Sequence, residues 1–423
     1  MKNCVLVLFT MLSMVLFTDV NTRARSSEAS RYIFVWTGDA AHKSSDFLAV
    51  VDTEPSSPSY ARIVATLPVN VTGTMPHHTE YEFPQGNVLF ANGWTGNRTF
   101  LFDLNRPLQP RLVGQFQDRN GYSFAHSFVR LPNRHVLATF QSHGEGHAPG
   151  GGLVELDETG AVVRTGSAID PMADKDLIWP YSLVALPQVD RVVSTSTPMD
   201  WTNWATLPPN SWPQKKIDAQ HTEQLQAWRL SDLHLLKTIS LMDSGRGKHN
   251  LLPAEPRVLS DGSVLVATFM CGLFLVRDVD STNPSAKMVY TFPGGDSEHT
   301  MCAVPVVVGH YWIQTVPALP GLIALDVSNP EKPVEVSRLK FDSSFMMTHW
   351  IAADRNSDRL VITGHEQSWL LMARFDQRTG ALSLDHSFRE PGSTQLGINF
   401  ARQDWPHGRT GPAVVHGALF GPN

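Results

Sequence analysis

Short apolar runs, each closed by a polar residue and a turn, recur along this chain. They read Phe47–Asp52 (FLAVVD), Thr99–Asp103 (TFLFD), Gly152–Asp157 (GLVELD), Leu225–Arg229 (LQAWR), Gly272–Arg277 (GLFLVR), Gly321–Asp326 (GLIALD) and Leu371–Asp376 (LMARFD). A second run rich in Val, Ile, Phe and Tyr precedes each: Tyr32–Trp36, Asn87–Ala91, His135–Thr139, Arg191–Ser194, Ser263–Thr268, Tyr311–Val316 and Arg359–Thr363. Such runs between Pro-, Asn- and Gly-rich turns predict strands. A third run starts near His78, His126, Tyr181, Glu255, His299 and His349. The spacing of roughly 45–55 residues fits a four-stranded blade. The predicted fold is all-β: a seven-bladed β-propeller occupying residues 30–423 as one domain, with six or eight blades as the alternative. The first blade lacks an inner strand at its N-terminal side. A C-terminal strand near Gly397–Gln403 is expected to supply it, closing the ring and removing open sheet edges. The wide gap between Tyr181 and Glu255 holds an insertion over Pro198–His221 with Trp201, Trp204 and Trp212, read as a long loop over one face.

The register gives the histidines meaning. His78, His126, His299 and His349 fall at the start of the inner strand in four blades, and inner strands line the central channel. Imidazoles converging there predict a metal site suited to copper, iron or zinc; solvated strand-start histidines are the bland alternative. His77 adjoins His78, and strand alternation sends neighbours to opposite faces. His77 is therefore expected to support the site by hydrogen bonding or to serve as an alternative ligand. Glu255 sits at the same register in the fourth blade counted by inner-strand starts, where it either orients a ligand or moves a proton, or pairs with Arg257. His407, a further candidate for support, and His416 follow the expected closing strand and are placed at one mouth of the channel. His143 and His147 flank Gly144-Glu145-Gly146, which makes a loop rather than a helical metal motif. No GxSxG elbow and no phosphate loop are present.

Composition narrows the setting. Charged residues make up 17% of the chain and the formal net charge is −6, with no basic stripe, which disfavours nucleic acid as a partner. Lys2 followed by the apolar run Cys4–Phe17 reads as a signal peptide over residues 1–25, with an uncleaved anchor as the alternative. The expected location is extracellular, or periplasmic in a bacterium, with no membrane attachment after cleavage. Asn70-Val71-Thr72 and Asn97-Arg98-Thr99 are glycosylation sequons. Cys271 and Cys302 remain in the mature chain, either as a disulfide or as two buried thiols.

The stretch opening at Phe47 and running through Leu67, followed by His77-His78, resembles the selenium-binding protein family, which includes the methanethiol oxidases. Ala125-His126-Ser127, Leu252–Leu259 (LPAEPRVL) and Leu325–Pro330 (LDVSNP) extend the resemblance over nearly the whole mature chain. It implies a seven-bladed propeller and, for the oxidase members, a histidine-bound copper centre. Those members oxidise methanethiol with oxygen to formaldehyde, hydrogen sulfide and hydrogen peroxide. The family histidines carry over to His77, His78 and His126. Two features depart from the pattern. Glu80–Trp94 has no cysteine, which disfavours that route to selenium attachment, and the family's last histidine is not at its expected place in the Asn399–Gly408 region. His299 and His349 are the candidate substitutes, giving a four-histidine site of the kind found in the carotenoid cleavage oxygenases. The resulting expectation is a copper-dependent oxidase of a small thiol or related small molecule, using oxygen. An iron-type oxygenase with a larger apolar substrate and a non-catalytic binding propeller are the alternatives.

Overall fold

The computed structural model describes Met1 and residues 29–144, 148–173, 178–199, 222–241, 247–296 and 298–422. The expected leader after Met1, His147, and the insertion from residue 200 to 221 lie outside the described residues.

Seven blades surround a central channel, six of four strands and one of five. The inner strands are Pro76–Thr79, Tyr122–Arg130, Pro180–Leu186, Pro253–Val258, Pro305–Val308, Thr348–Ala353 and Ala413–Phe420. Each is antiparallel to the next strand of its blade. The second and third strands are covered on both faces by neighbouring blades. Hence Phe47–Asp52 and Gly321–Leu325 are continuous apolar runs rather than alternating ones. Outer strands have one wet face, and Val334–Lys340 accordingly alternates exposed and half-buried residues along its length. Trp36, Trp228, Trp312 and Trp350 are fully buried between blades. Trp36 meets Phe100 and Phe102 edge-on at 5.3 and 5.4 Å, locking the first blade to the second.

The ring closes differently from the expectation. The strand that completes the first blade is Ala413–Phe420, pairing with Tyr32–Asp39 (Ile33 opposite Phe420). In the 397–403 region Ile398–Asn399 pairs with the third strand of the last blade and Gly397 makes only an isolated bridge to Arg389. Gly397 sits at φ +76 and ends any longer strand there. The longer apolar run AVVHGALF is the better strand and wins the position. A buried ion pair reinforces the closure: Arg359 binds Asp354 at 2.7 Å and donates to the Thr53 carbonyl at 2.8 Å, while Ser30 bonds Asp354.

Cys271 and Cys302 form a disulfide 31 residues apart in sequence. It joins the blade carrying Gly272–Arg277 to the segment leading into the next inner strand. Phe269 and Met301 therefore sit on the two segments that it ties together, and Cys302 N–H donates to the Phe269 carbonyl at 2.9 Å.

Candidate metal centre

Among the described residues, five imidazoles meet on the channel axis: His77, His78, His126, His349 and His416. Each stands on an inner strand, and their exposures are 1%, 0%, 0%, 9% and 4%. Nitrogens of His77, His78 and His126 lie within 4.8 Å of one another, as do those of His78, His349 and His416. His78 belongs to both groups and stands at the centre of the set.

The neighbours His77 and His78 both face the axis because alternation fails there. The pairing of Pro76–Thr79 with Val88–Gly93 shifts register between Pro76 and Thr79. The two rings stack at 4.5 Å with 16° between their planes. His77 thus lies inside the cluster, with its Nε2 3.0 Å from His126 Nε2, rather than behind it.

The hydrogen bonds fix the roles of the ring nitrogens. His126 Nδ1 lies 2.8 Å from the Tyr181 carbonyl, which can only accept, so Nδ1 carries the proton and Nε2 presents its lone pair to the cluster. His78 Nδ1 faces Ser127 Oγ at 3.0 Å. Among the described residues, His77 Nδ1 and the Nε2 atoms of His78, His349 and His416 are buried without a hydrogen-bond partner. Burial, then the neighbouring imidazoles and for His78 also Arg257, hold His77, His78, His349 and His416 well below the ordinary histidine range. Burial pushes His126 down to about 3. The cluster is a set of neutral nitrogen donors with orphaned lone pairs, which is what a borderline or soft transition metal needs. A cation here would satisfy buried nitrogens that now have no partner.

One side of the cluster is polar. Glu255 is 1% exposed. Its Oε2 accepts from Tyr81 at 2.8 Å, Arg257 at 2.9 Å and Ser182 at 3.3 Å. Burial raises its pKa, opposed by Arg257. The Arg257 guanidinium lies 4.0 Å over the Tyr81 ring, whose other neighbour is Trp350, stacked at 5.2 Å. Tyr81 also reaches Ser127 Oγ at 3.4 Å, so hydrogen bonds run unbroken from Glu255 through Tyr81 and Ser127 to His78. The channel beyond opens into a funnel of about 940 Å³ at the C-terminal ends of the inner strands, with Tyr81, Arg130, Arg257 and Arg355 on its wall.

The sequence placed His78, His126 and His349 at one register, and the structure brings these three together. His299 and His407 are not among them. His299 is exposed on a short helical turn, Glu298–Thr300, ahead of the inner strand Pro305–Val308. The turn before it places Gly294 and Gly295 at φ +119 and +74, and the β-branched run that makes the strand begins only after Val304. His407 lies on the Asp404–Trp405/Gly408–Arg409 hairpin, against Phe47 and 2.7 Å from Thr66 Oγ1, at the outer part of the first blade. His416 takes the place assigned to those two. Its signal was legible: a histidine inside an apolar run at the end of the repeat series. Tyr81 had no signal of its own and Ser127 only its place in the Ala125-His126-Ser127 stretch, because the network forms only when blades two to five converge.

A seven-bladed propeller with a histidine cluster on its axis defines a class of channel-centred propellers with a metal-competent core. Residues 19–355 match the family of the 56kDa selenium binding protein, and the chain belongs to that family. It is 25% identical over 340 residues to the methanethiol oxidase of Hyphomicrobium, covering 77% of this chain and 74% of that protein. It is 24% identical over 323 residues to selenium-binding protein 1 of Arabidopsis thaliana, covering 71% of this chain and 60% of that protein. Among solved structures, a hypothetical selenium-binding protein from Sulfolobus tokodaii superposes with a TM-score of 0.70 at 16% identity, covering 92% of this chain and 93% of that one. A periplasmic gluconolactonase from Pseudomonas aeruginosa shares the fold at a TM-score of 0.57 and 11% identity, covering 87% of this chain and 96% of that one.

Proposed function

We propose that this chain is a secreted, copper-dependent oxidase of a small thiol, using oxygen, with the metal held by the axial histidines. The observation that carries this reading is the convergence of five buried, neutral imidazoles, four of them with an unpartnered ring nitrogen, in a chain related to a methanethiol oxidase. His78, His126, His349 and His416 would hold the ion, with His77 beside His126. Copper, when bound, supplies the redox step between thiol and oxygen. The protein's own part is positioning and proton traffic. The Tyr181 carbonyl fixes the His126 tautomer, and Ser127 orients His78. Glu255 Oε2 receives a proton from the cluster side through Ser127 and Tyr81, while Arg257 steadies the carboxylate and the funnel admits water. The disulfide and the apolar leader support an oxidising, extracellular setting.

The test is elemental analysis of the purified mature protein, followed by oxygen uptake with methanethiol. About one copper per chain, with formaldehyde, sulfide and peroxide released, is expected. A copper-loaded protein that releases none of these ends the oxidase reading, and iron in place of copper redirects it to an oxygenase.

A further inference from the structure

The funnel has a counterpart at the opposite end of the inner strands. A small pocket opens there on His77, His349 and His365, walled by Tyr181, Phe269, Met199, Met301, Met347 and Ala303. The residues that line it stand at or just before inner-strand starts, as do His77, Tyr181 and His349, or just after second-strand ends, as do Phe269 and His365, whereas the funnel is lined largely by residues at the inner-strand ends, such as Arg130 and Arg257. The histidine cluster lies between them. The two mouths differ in size and chemistry: about 50 Å³ with no carboxylate, lysine or arginine among the described residues that line it, against about 940 Å³ lined by Glu80, Glu82, Arg130, Arg257 and Arg355.

The small pocket is built, not incidental. Tyr181, Met199, Phe269 and Met301 belong to one buried cluster with Trp94, Leu252, Ala254 and Met270. Met199 is clamped at both backbone ends, accepting from Trp94 Nε1 at 3.0 Å and donating to Gln141 Oε1 at 3.0 Å. The disulfide follows Phe269 by two residues and Met301 by one, so the walls that carry these side chains are tied covalently. Rigid walls make a cavity's size a selection rule, since overpacking a close-packed wall costs more than a flexible one.

We propose that this methionine-walled pocket is the substrate chamber and that it selects neutral aliphatic thiols of up to about four non-hydrogen atoms, with Phe269 and Met301 setting the limit. This rests on the thiol reading above and adds the substrate's size and charge to it. A cavity of about 50 Å³ seats about four water-sized groups, at roughly 10–15 Å³ each. The apolar lining favours an alkyl chain and leaves a carboxylate without a partner. Soft thioether sulfurs beside an aromatic ring suit a polarisable thiol.

The experiment is calorimetric titration of the metal-loaded protein, without oxygen, with methane-, ethane-, propane-, butane- and hexanethiol and with mercaptoacetate. Affinity should tighten about fourfold per methylene to propanethiol, then fall at least tenfold by hexanethiol. Mercaptoacetate should bind at least tenfold more weakly than ethanethiol. Met301→Ala and Phe269→Ala should each move the break to a longer chain. An affinity that climbs steadily to hexanethiol, equal binding of the carboxylate, no binding of any thiol, or a break unmoved in both variants overturns the proposal. Chain-length selection without oxygen uptake would instead leave the chamber standing and remove the oxidase reading.

Discussion

Five imidazoles buried as neutral groups make the metal-free protein sensitive to acid, and the size of the effect follows from their surroundings. Each is held below its unfolded pKa, His126 down to about 3. The unfolded chain therefore binds more protons than the folded one, and stability rises with pH. The contribution is fully present above the unfolded value of about 6.5 and is lost progressively as pH falls toward the depressed folded values. At about pH 5.5 an unfolded imidazole is roughly nine-tenths protonated, so each neutral folded one costs about 1 to 1.5 kcal/mol. All five together remove roughly 5 to 7 kcal/mol, comparable with the whole stability of an ordinary domain. The metal-free protein should thus lose its tryptophan-fluorescence signature of folding between about pH 5 and 6. Urea unfolding at a series of pH values should show roughly five extra protons bound by the unfolded state, and His126→Gln should remove one of them. A metal-free protein whose urea midpoint is unchanged from pH 7 to 4.5 would falsify the neutral-cluster reasoning.

Three further outcomes follow from particular contacts. His416→Ala should abolish stoichiometric metal retention in elemental analysis, whereas His299→Ala and His407→Ala should leave it intact; loss in either of the latter would restore them to the site. Glu255→Gln should keep the metal but lower turnover roughly 10²-fold, and unchanged kinetics would remove the carboxylate from proton transfer. Replacing Cys271 and Cys302 together by serine should lower unfolding free energy by roughly 3 to 4 kcal/mol, the loop-closure value for a separation of 31 residues; a denaturation midpoint like the wild type's would refute it.

Much of the architecture was legible because second and third strands, covered on both faces, announce themselves as apolar runs. Inner strands are harder to read. They carry polar residues toward the channel, and short ones such as Pro305–Val308 offer little pattern. That is why the register slipped onto His299, where glycine geometry and a helical turn hold the chain out of the sheet. The closing strand was misplaced for a related reason: Gly397–Gln403 alternates acceptably on paper, but only Ile398–Asn399 joins a blade, beside an isolated bridge at Gly397. Alternation itself misled at His77, because a register shift in the sheet lets two adjacent rings share one face. The polar network of Tyr81, Ser127, Ser182 and Glu255 joins residues up to 174 positions apart and becomes visible only in three dimensions.

The strand that closes the ring also brings His416 to the axis, 4.5 Å ring to ring from His349 and 4.1 Å from His77. One short segment therefore completes two things at once, the last sheet and the donor set. The axial donor set stays incomplete until this strand docks beside Tyr32–Asp39. A chain in which this strand is undocked lacks both the seal of its first blade and one of its axial imidazoles.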